Sequence, residues 1–236
     1  RPTLLLLADN RNDRFNPTRG TVFSGVVDAT DGLVAGLVSV RGEGRLERYF
    51  GVGPLILDVI GRAGAGWAAG EGTTLPIEER FFLGGSSTLR GFRLNSVGPA
   101  NLAGRPQIPF SDATEPLVEG AGVRGDSTHW VNTGGDTLLA LTTELRVPLP
   151  VLGLSDWDST SIVLFNDLGR VAFLDPAITT TSSVRDADPP LRASFGGGVR
   201  VVTPIGPAAL AVGYNPWRID EREETRFLAH LSLGEL

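Results

Sequence analysis

Residues 36–50 read Gly36-Leu37-Val38-Ser39-Val40-Arg41-Gly42-Glu43-Gly44-Arg45-Leu46-Glu47-Arg48-Tyr49-Phe50. Ser39, Arg41, Glu43, Arg45 and Glu47 share one parity; Val38, Val40, Leu46 and Phe50 share the other, with Arg48 as the exception. That is a period of two, the pattern of an extended strand whose successive side chains leave on opposite faces. Fifteen residues of it exceed the five or six common in soluble strands. They suffice for a tilted membrane-crossing strand, which needs about 9–11.

The pattern recurs along the chain. Residues 54–68 set Leu55, Leu57, Val59 and Trp67 against Asp58 and Arg62, and 137–149 set Leu139, Leu141 and Leu145 against Thr142, Glu144 and Arg146. Residues 191–203 place Phe195 and Val199 opposite Arg192, Ser194 and Arg200, and 225–233 place Phe227, Leu231 and Leu233 opposite Arg226, His230 and Ser232. Weaker versions at 3–9, 20–30, 158–173 and 207–217 bring the expected total to nine strands. The connections alternate in length: short at 50–54, 150–157 and 203–207, long at 69–134, 174–190 and 218–224. Short turns at one end and long loops at the other distinguish an outer-membrane barrel from a soluble sandwich or lipocalin-like barrel. Trp67, Tyr214 and Trp217 near the long-loop ends, and Tyr49 and Trp157 near the short turns, suit interfacial aromatic belts.

Composition agrees. The chain has 236 residues, no cysteine and a formal charge of −6, and its basic residues are all arginine. No disulfide or thiolate metal site is available, and the acidic balance argues against nucleic-acid binding, which needs a basic stripe. No run of about 18 apolar residues marks a membrane helix, but membrane strands escape hydropathy scans because alternate residues face the lumen. Nine strands do not close an even-numbered single-chain barrel. The expected architecture is therefore an all-β, antiparallel transmembrane β-barrel, of which residues 1–236 supply about the nine C-terminal strands.

The longest irregular segment, about 69–134, contains Gly84-Gly85-Ser86-Ser87-Thr88-Leu89-Arg90-Gly91-Phe92. Glycine pairs among bulky apolar residues are poor composition for a disordered linker, and a loop this long is usually functional. This stretch resembles the signature loop of the BamA/TamA superfamily of outer-membrane assembly factors, whose Arg-Gly-Phe or Arg-Gly-Tyr tip folds back into the lumen. The resemblance covers most of the chain. Asp13-Arg14-Phe15-Asn16-Pro17-Thr18-Arg19-Gly20 is similar to the family's Asp-rich periplasmic turn, and Thr143-Glu144-Leu145 to its strand with an inward glutamate. Phe165-Asn166-Asp167-Leu168-Gly169 is similar to the following aromatic-x-Asp-x-Gly strand, and Thr203-Pro204-Ile205-Gly206-Pro207 to the last tight turn. The ending Leu233-Gly234-Glu235-Leu236 departs from the family's usual terminal aromatic.

The resemblance implies a bacterial outer-membrane barrel of about sixteen strands, acting without cofactor and not as an enzyme. It implies a protein that folds and inserts β-barrel proteins, with unfolded outer-membrane proteins, membrane lipids and accessory lipoproteins as partners. The same barrel type serves as a two-partner-secretion or TamA-like translocation pore, or as the membrane anchor of a patatin-like phospholipase. POTRA repeats or another N-terminal domain, expected outside this chain, would distinguish these.

Chemistry supplies an expectation for the loop. A guanidinium in a lumen offers five donors in a planar fork and calls for carboxylates. Glu144 lies on the polar face of its strand, and Asp167 faces inward if its strand follows the phase of Ser161, Val163 and Phe165. An Arg90–Glu144–Asp167 cluster, also implied by the family comparison, is therefore expected, with Gly84, Gly85, Leu89, Gly91 and Phe92 shaping and packing the tip. Catalytic and metal constellations are not apparent. His129 and His230 lie in different segments, and His230 alternates to the lumen side. Asp9, Arg11, Asp13 and Arg14 read as a solvated charged turn.

Overall fold

The computed structural model describes residues 2–31, 38–69, 75–103, 129–153, 159–174, 191–203, 206–220 and 224–233. Nine strands form one antiparallel sheet: β1 (Thr3–Asp9), β2 (Gly20–Asp31), β3 (Val38–Val52), β4 (Leu55–Ala69), β7 (Thr137–Pro148), β8 (Thr160–Ala172), β9 (Arg192–Thr203), β10 (Gly206–Tyr214) and β11 (Phe227–Leu233). They are ordered by chain sequence, each hydrogen-bonded to its predecessor, as an up-and-down meander. The remaining two, β5 (Ala100–Ala103) and β6 (His129–Asn132), pair with each other inside the long loop.

The nine expected strands are present, with ends that differ by at most three residues. The larger overrun is at β10, which stops at Tyr214 because Asn215 turns the chain, its side-chain oxygen accepting the Trp217 N–H at 3.1 Å. The segment 69–134, expected to lack regular structure, contains a 3-10 turn at Ile77–Glu79 and the β5–β6 hairpin. Four-residue strands carry too little alternation to read, and an isolated hairpin is marginal without packing.

Burial is inverted relative to a soluble protein. Val38, Leu46, Phe50, Leu139, Leu164, Phe195 and Leu231 are exposed, while Glu47, Asp58, Glu144, Arg146, Asp167 and Arg192 are buried. Charged side chains are rarely buried unless paired; here the sheet curls so that its polar face is concave and its apolar face convex. The pairing registers enforce this. Glu47 lies opposite Ile60, Asp58 opposite Glu144, and Thr142 opposite Asp167, so inward positions stay inward from strand to strand. A one-residue slip would turn every charge outward.

The principal apolar core lies between the loop and the sheet. Phe81, Leu83, Leu89, Phe92 and Val97 of the loop pack with Leu138, Ala140 and Val171 of β7 and β8. β1 and β11 are the two edges of the sheet, and among the described residues no pairing joins them.

Candidate functional site

The loop is fastened before it reaches its tip. Glu79 accepts hydrogen bonds from Ser39 Oγ at 2.5 Å and Thr30 Oγ1 at 3.0 Å, docking the 3-10 turn on β2 and β3. Arg80 donates to the carbonyls of Leu75 (2.7 Å) and Thr133 (3.0 Å), tying the outgoing and returning limbs. Phe81 and Gly135 exchange backbone hydrogen bonds of 2.9 and 3.1 Å, and the Arg41 guanidinium lies 4.3 Å from the Phe81 ring centre.

Gly84 and Gly85 then reverse the chain with φ of 110° and 108°, a region that disfavours side chains. Gly84 N–H donates to Thr88 Oγ1 at 3.0 Å and Gly85 N–H to the Phe92 carbonyl at 3.2 Å, closing a compact knuckle. Its apex is Leu89-Arg90-Gly91-Phe92, all buried.

Arg90 is held between two strands. Its Nε and its backbone N–H both donate to Asp167 Oδ2 at 2.9 Å, Nη2 donates to Oδ1 at 2.9 Å, and Nη1 donates to Glu144 Oε2 at 2.7 Å. The guanidinium carbon sits 3.6 Å from the centre of the Phe165 ring, within cation–π range. β-sheet geometry explains the fit. Glu144 pairs with Phe165, so Asp167, two residues on, is its diagonal neighbour on the same face. Diagonal neighbours lie about 7–8 Å apart, room for one guanidinium. The pair is desolvated: Asp167 is 0% and Glu144 5% exposed. Removing one member of such a cluster leaves an uncompensated buried charge, costing about 3–5 kcal/mol.

The next two residues reach further round the sheet. Gly91 N–H donates to His230 Nε2 on β11 at 2.9 Å. Gly91 has φ of 88° and lies against Gly213 of β10; a Cβ on Gly213 would collide with the Gly91 nitrogen. Phe92 lies under Arg192 of β9, 4.9 Å from guanidinium carbon to ring centre. Arg192 is paired with Glu224 in the β10–β11 connection, which also accepts from Asn215 Nδ2 at 3.0 Å and Ile219 N–H at 2.9 Å. Three consecutive residues thus engage every strand from β7 to β11.

Sequence reasoning named Arg90, Gly91, Phe92, Glu144 and Asp167, and the structure brings them together. It placed His230 inward without a partner and singled out neither Phe165, Arg192, Gly213 nor Glu224. Glycine at 213 was the available signal, since a small residue in a strand often marks close backbone approach.

Of the aromatic residues, Trp67 and Trp217 are exposed, and Tyr214 sits on the convex face between Phe195 and Phe227, with ring centres 5.3 and 5.1 Å apart. Trp157 lies outside the described residues. Tyr49 does not join a belt: it is buried on the concave side, where its hydroxyl donates to Glu47 Oε2 at 2.7 Å. It follows the inward phase of Ser39 to Glu47, which outweighs its place near a turn.

The turn between β1 and β2 is also more ordered than a solvated charged turn. Asp13 accepts the N–H groups of Phe15 and Asn16, at 2.8 and 2.7 Å, which hold its carboxyl below the usual range. Asn12 Oδ1 accepts those of Thr18 and Arg19, both at 3.0 Å. The turn docks under the sheet: Arg146 donates to the Pro17 carbonyl at 2.7 Å and Arg200 to that of Phe15 at 3.4 Å. Between turn and loop lies a cavity of about 540 Å³, lined among others by Glu47, Tyr49, Asp58, Ser87, Glu144 and Arg200.

The Omp85 superfamily domain model matches residues 3–235. The chain belongs to the Omp85 superfamily. It is similar in structure to BamA from Haemophilus ducreyi lacking POTRA domains 1–3, with a TM-score of 0.73 and 17% sequence identity. The match covers 98% of this chain and 42% of that one, so the Omp85 chain described here spans less than half of that structure. At that identity the likeness concerns the fold: a curled antiparallel sheet of BamA type, open along β1 and β11 in the described residues. Members of the superfamily are outer-membrane proteins.

Proposed function

We propose that this chain is part of the barrel of an outer-membrane assembly factor that folds and inserts β-barrel proteins, with the bacterial outer membrane as its site of action. The observation that carries the reading is the loop tip, whose Arg90 is buried between Glu144 and Asp167 while Gly91 contacts strand β11. A loop folded onto the concave face and fixed to successive strands stiffens that wall. In such a factor an incoming strand is templated by β-augmentation, main-chain hydrogen bonds supplying affinity without demanding one sequence. Such tolerance suits unfolded outer-membrane proteins as substrates. The convex apolar face supplies the lipid contact, and accessory lipoproteins are the expected partners.

The test is reconstitution of the full-length protein in lipid vesicles, with a urea-unfolded β-barrel added outside. The expected result is faster acquisition of protease-resistant, heat-modifiable substrate than in empty vesicles. Unchanged substrate folding, with passage of a secreted polypeptide into the vesicles, would favour the translocation-pore reading instead.

A further inference from the structure

We propose that His230 is a positioning residue that latches the loop tip to the edge strand β11, and that protonation of its ring opens the latch. Glycine N–H is a donor, so the 2.9 Å contact from Gly91 requires Nε2 of His230 to be an acceptor. The ring is therefore neutral, with its proton on Nδ1. Protonation makes both nitrogens donors, and two N–H groups would then face each other across a hydrogen-bond distance. The charge on the ring is set by pH, over a range fixed by its own surroundings and not by that of a free imidazole.

The surroundings make that exchange consequential. The charged groups acting on the ring are the Arg90 guanidinium of the loop and the Asp167 carboxylate of β8. Asp167 already accepts three hydrogen bonds from Arg90, so it has little left for an imidazolium. Arg192 on β9, beyond Phe92, is already neutralised by its pairing with Glu224. On β10 the residue paired with His230 is Ala211, with Gly213 beyond it, neither of which is charged. Arg226, before the start of β11, is exposed. A new positive charge would thus enter beside Arg90, whose two carboxylates, Asp167 and Glu144, are already committed to it. Gly91 would withdraw, and β11 would keep its pairing to β10 but lose its tie to the loop.

The readout is local exchange, independent of what the edge engages. Backbone hydrogen exchange is measured on the full-length protein in lipid nanodiscs from pH 8 down to about pH 4, with β7–β8 amides as the internal reference for the intrinsic pH effect. The wild type should lose protection at Gly91 and the loop tip by about fivefold relative to β7–β8 on acidification, a size consistent with one ordinary hydrogen bond. His230→Gln, whose side-chain oxygen accepts at every pH, should stay protected throughout; His230→Leu should show the faster, acid-state exchange throughout. Equal pH dependence in wild type and His230→Gln, or wild-type protection in His230→Leu at pH 8, would overturn the proposal. So would nitrogen NMR of the imidazole placing the proton on Nε2 at pH 8, a measurement that needs no variant.

Discussion

Arg90 gives Asp167 three hydrogen bonds, two from its guanidinium and one from its own backbone N–H, all at 2.9 Å. One carboxylate thereby fixes both the side chain and the main chain of the tip. A lysine can supply a charge here but not the planar fork that spans Asp167 and Glu144 together. Arg90→Ala should therefore destabilise the protein by about 3–5 kcal/mol, through two carboxylates left buried without their cation. Arg90→Lys should recover part of that loss. Urea unfolding in micelles, followed by heat-modifiability, measures both; equal stability of wild type and Arg90→Ala would remove the clamp from the account.

Backbone contact makes an independent demand. Gly213 lies against Gly91 so closely that any Cβ strikes the tip, whereas a Cβ on Gly61 of strand β4 would meet nothing within 4 Å. Gly213→Ala should cost about 1–3 kcal/mol, the range for overpacking a tight contact, and should increase proteolysis of the loop. Gly61→Ala should be near neutral in the same assays. Similar behaviour of the two would mean that the tip can shift without penalty.

The convex face is tested by charge. Leu164 lies mid-strand on β8, 52% exposed, and its neighbours Val163 and Phe165 point the other way. In a bilayer an outward arginine near mid-depth costs about 2–4 kcal/mol, so Leu164→Arg should lower folding yield into vesicles and reduce stability by that amount. On the concave side, Thr142→Arg should be milder because the site is polar. If Leu164→Arg had no effect, the apolar face would not be in contact with lipid.

What could be read from sequence, and what could not, follows the reach of each interaction. Period-two alternation is a property of single strands, so the inward phase of Glu144 and Asp167 was legible as soon as strands were assigned. The partnership with Arg90 needed one further step, the demand of a guanidinium for carboxylates. His230 and Gly91 are 139 residues apart, and no local pattern encodes that they meet. The same holds for Arg192, Phe92 and Glu224, whose association depends on how the β10–β11 connection folds over the tip. Tyr49 shows the converse: alternation already placed it inward, and its nearness to a turn was a misleading second signal. The β5–β6 hairpin escaped because its strands have four residues each, with 25 residues between them.

The turn between β1 and β2 gives a pH-dependent prediction outside the membrane-spanning strands. Hydrogen bonds from the N–H groups of Asn16 and Phe15, with a smaller contribution from Arg11, favour the ionised form of Asp13. A carboxyl whose folded value lies below its unfolded value stabilises the fold above the unfolded value, and loses that contribution as pH falls through the folded one. The turn should therefore be ordered at neutral pH and loosen in acid below the normal aspartate range. Because Phe15 and Pro17 supply the carbonyls that Arg200 and Arg146 hold, loosening should also free those arginines. Amide exchange at Phe15 and Asn16 measures the first step. Asp13→Asn keeps a neutral acceptor and should remove the pH dependence while lowering protection at neutral pH. If protection at Phe15 and Asn16 were constant from neutral pH to well below the aspartate range, ionised Asp13 would not be what shapes the turn.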